Sequence, residues 1–157
     1  MFSLFAGKTV FAVLLIPKCG SESLRKSSLA IINNVHANNL PRIAFVRDPI
    51  ERLHSAYRFL ARRGYAPKQY ESFIDWSLET DDEHVVPQHS YCYPNDTKQF
   101  DDLYLLNGLD AVFTNRLGNT IPRLHETHKE PINSDYRMDE LRAKYSNDFE
   151  LVEAAHV

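Results

Sequence analysis

Apolar residues along the chain alternate between two spacings, and the changes of spacing mark its elements. The run "TVFAVLLI" (9–16) is continuously β-branched, aromatic or aliphatic, the pattern of a strand covered on both faces of a parallel sheet. With "MFSLFAGK" before it, the opening predicts a first strand or strands, ended by Pro17. From Ser21 to about Asn33, Leu24, Ser28, Ile31 and Ile32 fall at helical spacing with Leu29 beside them, which predicts a helix. "NNVHANNLP" reads as a turn-rich connector and "RIAFV" (42–46) as a second buried strand. Asp48, Pro49 and Glu51 then supply a cap, a first-turn proline and a capping-box acid. The stripe Ile50, Leu53, Tyr57 and Leu60 carries that helix to about Arg62, and Gly64 stops it. "PKQYESFIDWSLE" (67–79) predicts another helix, "HVVPQHSYCYPND" (84–96) an aromatic loop, and "DAVFTN" (110–115) a late strand. Further helices are expected around "NTIPRLHE" (119–126) and "MDELRAKYSNDFELVEA" (138–154).

No repeat, low-complexity run or Pro/Gly-rich linker divides the chain, so residues 1–157 read as one compact domain. Strand, loop, helix, strand, helix in this order implies an α/β fold whose mostly parallel central sheet is flanked by helices. Such sheets bind ligands at the carboxyl ends of their strands, where both the 17–23 loop and Arg47 fall.

Charge narrows the ligand. The net charge is -3, which argues against a general nucleic-acid binder. Yet Arg42, Arg47, Arg52, Arg58, Arg62 and Arg63 crowd one segment, a locally basic patch suited to a small anion. Two cysteines, Cys19 and Cys92, are too few for a disulfide framework, so free thiols are expected. Lys8 interrupts the apolar opening, which lacks a basic leader and is too short to span a bilayer. The expectation is a soluble, cytoplasmic protein with no membrane span.

Two stretches carry chemistry. In "IPKCGSESL" (16–24), a strand-to-helix loop offers backbone N–H groups to an anion. Gly20 allows close approach, Ser21 and Ser23 add hydroxyls, and Lys18 adds a mobile charge. The early Gly and final Gly-Lys-Ser/Thr of a Walker A loop are missing. In "FVRDPIERLHSAYRFL" (45–60), Arg47 ends a strand with a fork suited to two phosphate oxygens. Ser55 lies two turns on, off the apolar stripe. Arg52 and Arg58, three residues to either side, are expected to share its face. Bland readings exist for each: a surface turn, a surface ion pair for Arg47, a neutral helix serine for Ser55.

Together the two stretches resemble the sulfotransferases, in particular the carbohydrate sulfotransferase branch. The resemblance implies a P-loop-like three-layer fold and a donor, 3′-phosphoadenosine-5′-phosphosulfate (PAPS), released as the bisphosphate PAP. It implies that Lys18, Cys19, Gly20, Ser21, Glu22 and Ser23 form the loop around the 5′-phosphosulfate, and that Arg47 and Ser55 hold the 3′-phosphate. The implied partners are this nucleotide and a small-molecule or glycan acceptor, with no metal. Three departures stand out. Glu22 occupies a usually small or hydroxyl position, the chain is shorter than typical members, and "VFTNRLGN" lacks an acidic residue common after the late strand.

Sulfuryl transfer needs charge neutralised on the departing phosphate, a task for Lys18, and the acceptor proton removed. The candidate bases are His36, before the second strand, His89 in the Pro-Gln-His loop, and Glu22. His54 is disfavoured, and His125 with His128 carries no metal-ligand signature beyond its spacing. One rival reading is a cysteine phosphatase, since Cys19 and Arg25 have the spacing of a Cys-x5-Arg loop; Cys19 would then be a thiolate. It leaves "RDPIERLHSAY" unexplained, whereas the sulfotransferase reading explains both stretches and makes Cys19 a spectator. A non-catalytic nucleotide-binding protein is the second alternative.

Overall fold

In the computed structural model, the described residues are 2–6, 10–26, 30–35, 39–118, 132 and 135–156. Strands β1 (Phe2–Ala6), β2 (Val10–Leu14), β3 (Ala30–Val35), β4 (Arg42–Val46) and β5 (Asp102–Leu105) form one sheet in the order β3-β1-β2-β4-β5. β2 pairs in parallel with β4, and β4 with β5, while β1 runs antiparallel to both β2 and β3. Four strands therefore point one way, and the sheet is mostly parallel in direction with one reversed strand inside it. Leu14 lies opposite Ala44, so the chain leaves β2 and β4 at the same edge.

Alternation along the strands builds three layers. Phe11, Val13, Leu15, Ile43 and Phe45 face one side, against Leu24 of α1 (Ser21–Lys26) and Leu109, Val112 and Phe113 of α5 (Leu109–Leu117). Ala12, Leu14, Ile16, Ala44 and Val46 face the other, against Cys92 of α4 (His89–Cys92) and Leu151 of α7 (Ser146–Ala154). A separate core joins Leu53, Ala56 and Leu60 of α2 (Pro49–Arg63) to Phe73 and Ile74 of α3 (Tyr70–Glu79) and to Leu141 of α6 (Met138–Lys144). At the sheet edge, the His156 carbonyl accepts from Leu105 N at 2.9 Å and its N–H donates to Leu103 O at 2.9 Å, which covers part of β5.

The helix expected from Ser21 to Asn33 is shorter. It ends at Lys26, and residues 30–35 pair with β1 as β3. Ile31, Ile32 and Val35 are β-branched, and a ladder with β1 outweighs the helical spacing that Ile31 and Ile32 share with Leu24. The late strand expected at 110–115 is instead α5, because Leu109, Val112 and Phe113 lie at i, i+3 and i+4 and bury one stripe. Gly118, at φ 77°, closes that helix, and the late strand lies earlier, at Asp102–Leu105. The loop expected at 84–96 contains the single turn α4 and a 3-10 turn at Pro94–Asp96. The expected C-terminal helix breaks at Tyr145 into α6 and α7. "NTIPRLHE", with His125 and His128, lies outside the described residues.

Candidate active site

The loop after β2 turns through Pro17–Gly20 into α1. Cys19 N–H donates to Ile16 O at 3.1 Å, and Leu24 N–H to Gly20 O at 3.0 Å, starting the helix. Gly20 has φ 80°, and a Cβ there would meet Leu106 Cδ1 at 3.0 Å and Leu109 Cδ1 at 3.3 Å. Both backbone angle and space thus require glycine. Lys18 also adopts a left-handed φ of 64°. Glu22, awkward beside a phosphosulfate, pairs instead with Lys26 Nζ at 2.6 Å along its own helix.

The loop after β4 is built from its sequence signals. Asp48 Oδ1 accepts from Glu51 N at 2.9 Å, capping α2 behind Pro49, and Gly64 ends the helix at φ 73°. The mostly covered Arg47 side chain donates through Nε and Nη2 to Glu51 Oε2 at 3.1 and 3.0 Å. Ser55 is half-buried on α2. Arg52 does not share its face: it is 1% exposed, on the buried stripe of Pro49, Leu53, Ala56 and Leu60. Its guanidinium donates to the carbonyls of Pro17 at 3.0 Å, Val86 at 2.8 Å and Glu83 at 3.4 Å, and so supports the first loop from beneath.

Gln88 joins the two loops. Its Oε1 accepts from Cys19 Sγ and from Arg47 N, each at 3.2 Å, and its Nε2 donates to Arg47 O at 2.6 Å. Asp148, fully buried on α7, fixes Gln88 in turn: its carboxylate accepts from Gln88 N at 2.9 Å and His89 N at 2.8 Å, the start of α4. The His89 ring stacks on Tyr93 at 4.9 Å. His36 lies outside the described residues. No sequence motif marks Gln88, Arg52, Asp148 or Phe59, whose ring lies 4.1 Å from Lys18 Nζ, for these roles. Pro-Gln-His was the nearest signal for Gln88.

The electrostatics separate the rival chemistries. Burial lowers the Lys18 pKa from its ordinary value, opposed by Glu22 and reinforced by Arg63, Arg47 and Arg52. Burial pushes the Cys19 thiol up to about 11, against the pull of Arg52 and Arg47. That thiol is 2% exposed and donates to Gln88, so it is neither a thiolate nor reachable by a substrate. Arg25 is exposed in the last turn of α1. A phosphatase loop is not formed.

Lys18, the α1 start and Arg47 lie together at the carboxyl ends of two parallel strands of an α/β sheet, the place where such sheets bind their ligands. The sequence model of the sulfotransferase family matches residues 18–103, more than half of the chain, from Lys18 of the first loop through the whole of the second. The protein belongs to the sulfotransferase family, transferases of the sulfuryl group. No curated protein and no solved structure matches it. Among the described residues no helix is long and apolar enough to cross a membrane, and no three His, Cys, Asp or Glu side chains group as metal ligands.

Proposed function

We propose that this protein transfers a sulfuryl group from PAPS to an acceptor hydroxyl, on a carbohydrate, as in the carbohydrate sulfotransferase branch that its two motifs resemble. The observation that carries the reading is the Gln88 bridge: one side-chain oxygen accepts from the Lys18–Ser23 loop and from the Arg47 strand end together. A ligand with phosphates at two separated positions fits such a pair of sites. The donor set also fits, being cationic at both ends, with Glu22 held by Lys26.

PAPS, when bound, supplies the activated sulfuryl group. Lys18, the loop N–H groups and the Ser21 and Ser23 hydroxyls hold the 5′ end and neutralise charge on the departing phosphate. Cys19 contributes backbone only. Arg47 leaves Glu51 for the 3′-phosphate, with Ser55 as second donor. Of the candidate bases, Glu22 is engaged by Lys26, whereas His89 sits next to Gln88 at the start of α4, so we assign the acceptor proton to His89, with His36 as the competitor. Two free, buried thiols, Cys19 and Cys92, suit the reducing cytoplasm.

Calorimetric titration with PAP tests the donor site. Micromolar binding is expected, weakened by Arg47→Ala by more than about 1.5 kcal/mol, the scale of a charge-assisted hydrogen bond. Labelled-sulfate transfer from PAPS to a panel of glycans then tests the acceptor, with His89→Ala expected to abolish transfer while PAP still binds. Absence of PAP binding by the wild type would sink the reading.

A further inference from the structure

The two cations assigned to the donor are held in different ways. Arg47 rests on a carboxylate, Glu51, four residues further along in the first turn of α2. Lys18 has a carboxylate at the same spacing, Glu22, yet Glu22 pairs with Lys26. The Lys18 ammonium instead lies 4.1 Å from the centroid of the Phe59 ring, and the Arg63 guanidinium carbon lies 4.1 Å from that same centroid. The His84 ring stacks on Phe59 at 5.1 Å, and Asp82 holds His84 in place through Nδ1 at 2.9 Å. An aromatic face attracts a cation without cancelling its charge. Two cations gathered on one ring also repel each other, so both gain from an arriving anion. A carboxylate partner, by contrast, would have to be displaced before Lys18 could meet a phosphate.

We propose that Phe59 is a positioning residue for the transfer reaction: its ring holds the Lys18 ammonium of the phosphosulfate loop without a carboxylate in direct contact, ready for the donor. The inference rests on the proposed PAPS reading and deepens it by adding a residue that touches no donor atom. α2 then sets both ends of the site. Its start follows Arg47, its second turn carries Ser55, and its third turn presents the ring on which Lys18 rests. Lys18 itself sits in a left-handed backbone conformation within the turn.

The test uses the full chain with Phe59→Leu, Phe59→Tyr, Lys18→Met and the Lys18→Met/Phe59→Leu double variant. Nuclear magnetic resonance of lysine-labelled protein reads the ring contact directly. The Lys18 ε-methylene signal, identified by its loss in Lys18→Met, is expected upfield of the other lysines in the wild type and in Phe59→Tyr, and among them in Phe59→Leu. Calorimetry with PAP reads the consequence. Phe59→Leu should weaken binding roughly five- to tenfold, the scale of a desolvated cation–π contact. Phe59→Tyr should stay close to the wild type, and Phe59→Leu should add nothing in the Lys18→Met background. An equal loss from Phe59→Leu with and without the Lys18→Met substitution would make the ring a packing residue only and overturn the inference, as would an unshifted Lys18 signal in the wild type. A shifted signal in a wild type that binds no PAP would instead overturn the donor assignment, and the role of the ring in binding with it.

Discussion

At the residue scale, the side chains that hold the site together are those whose sequence context pointed elsewhere. Cys19 has the spacing of a phosphatase nucleophile, but its thiol is buried and spent on Gln88. Cys19→Ser keeps a donor of similar reach, so PAP affinity should change by less than about threefold. Native Cys19 should resist alkylation at neutral pH, since burial holds the thiol near 11. Mass spectrometry of iodoacetamide-treated folded protein checks this, and rapid modification of Cys19 would revive the phosphatase reading. Arg52 carries the larger energy. Three carbonyls lose their donor in Arg52→Ala, and urea unfolding should show a loss of about 3 kcal/mol or more. The signal for this burial was present in the sequence: Pro49, Arg52, Leu53, Ala56 and Leu60 lie at helical spacing, and an arginine on such a stripe points inward. Gln88 had no such signal, because its role depends on two loops far apart in the chain meeting at one amide.

Elements were legible where local chemistry decides them. α2 begins and ends where Asp48, Pro49, Glu51 and Gly64 require, and β2 and β4 follow their unbroken apolar runs. Asp48→Ala should remove the capping bond to Glu51 N and cost about 1 kcal/mol in thermal or urea unfolding. Because the cap adjoins Arg47, PAP affinity should fall as well; unchanged affinity would separate helix start from donor binding. Legibility failed where tertiary pairing decides. Residues 30–35 become a strand only because β1 offers an antiparallel edge, a contact no local window contains. "DAVFTN" has the composition of a strand, but its flanking Leu109 and Leu117 complete a helical stripe on the Phe5–Phe11–Phe113 cluster. Both departures, at 30–35 and 110–115, lie outside the segments 17–23 and 47–55 that carry the candidate site.

On the scale of the molecule, the site is closed by a residue from the far end of the chain. Asp148 on α7 accepts two backbone N–H groups at the start of α4, fixes Gln88, and through it aligns both loops. Burial raises its pKa from the ordinary value, with the His89 and Gln88 N–H bonds and the charge of Arg52 opposing. The sign of the linkage follows. A carboxyl whose folded pKa lies above its unfolded one keeps its proton in the fold after the unfolded chain has released it. Its contribution to stability is therefore greatest at low pH, and it declines as pH rises from about 4 through the raised folded value. Asp148→Asn cannot ionise and retains one acceptor oxygen, so the stability of the wild type relative to this variant should fall across that window. Urea unfolding of both proteins between about pH 4 and pH 7 measures the difference. A difference that grew with pH would mean that the two N–H bonds outweigh burial, and Asp148 would then act as a charged anchor. PAP titration of the same variant completes the argument. Asp148 touches no donor atom, yet loosening Gln88 should weaken binding in a protein that remains folded, a result expected only if the two loops are aligned through this carboxylate.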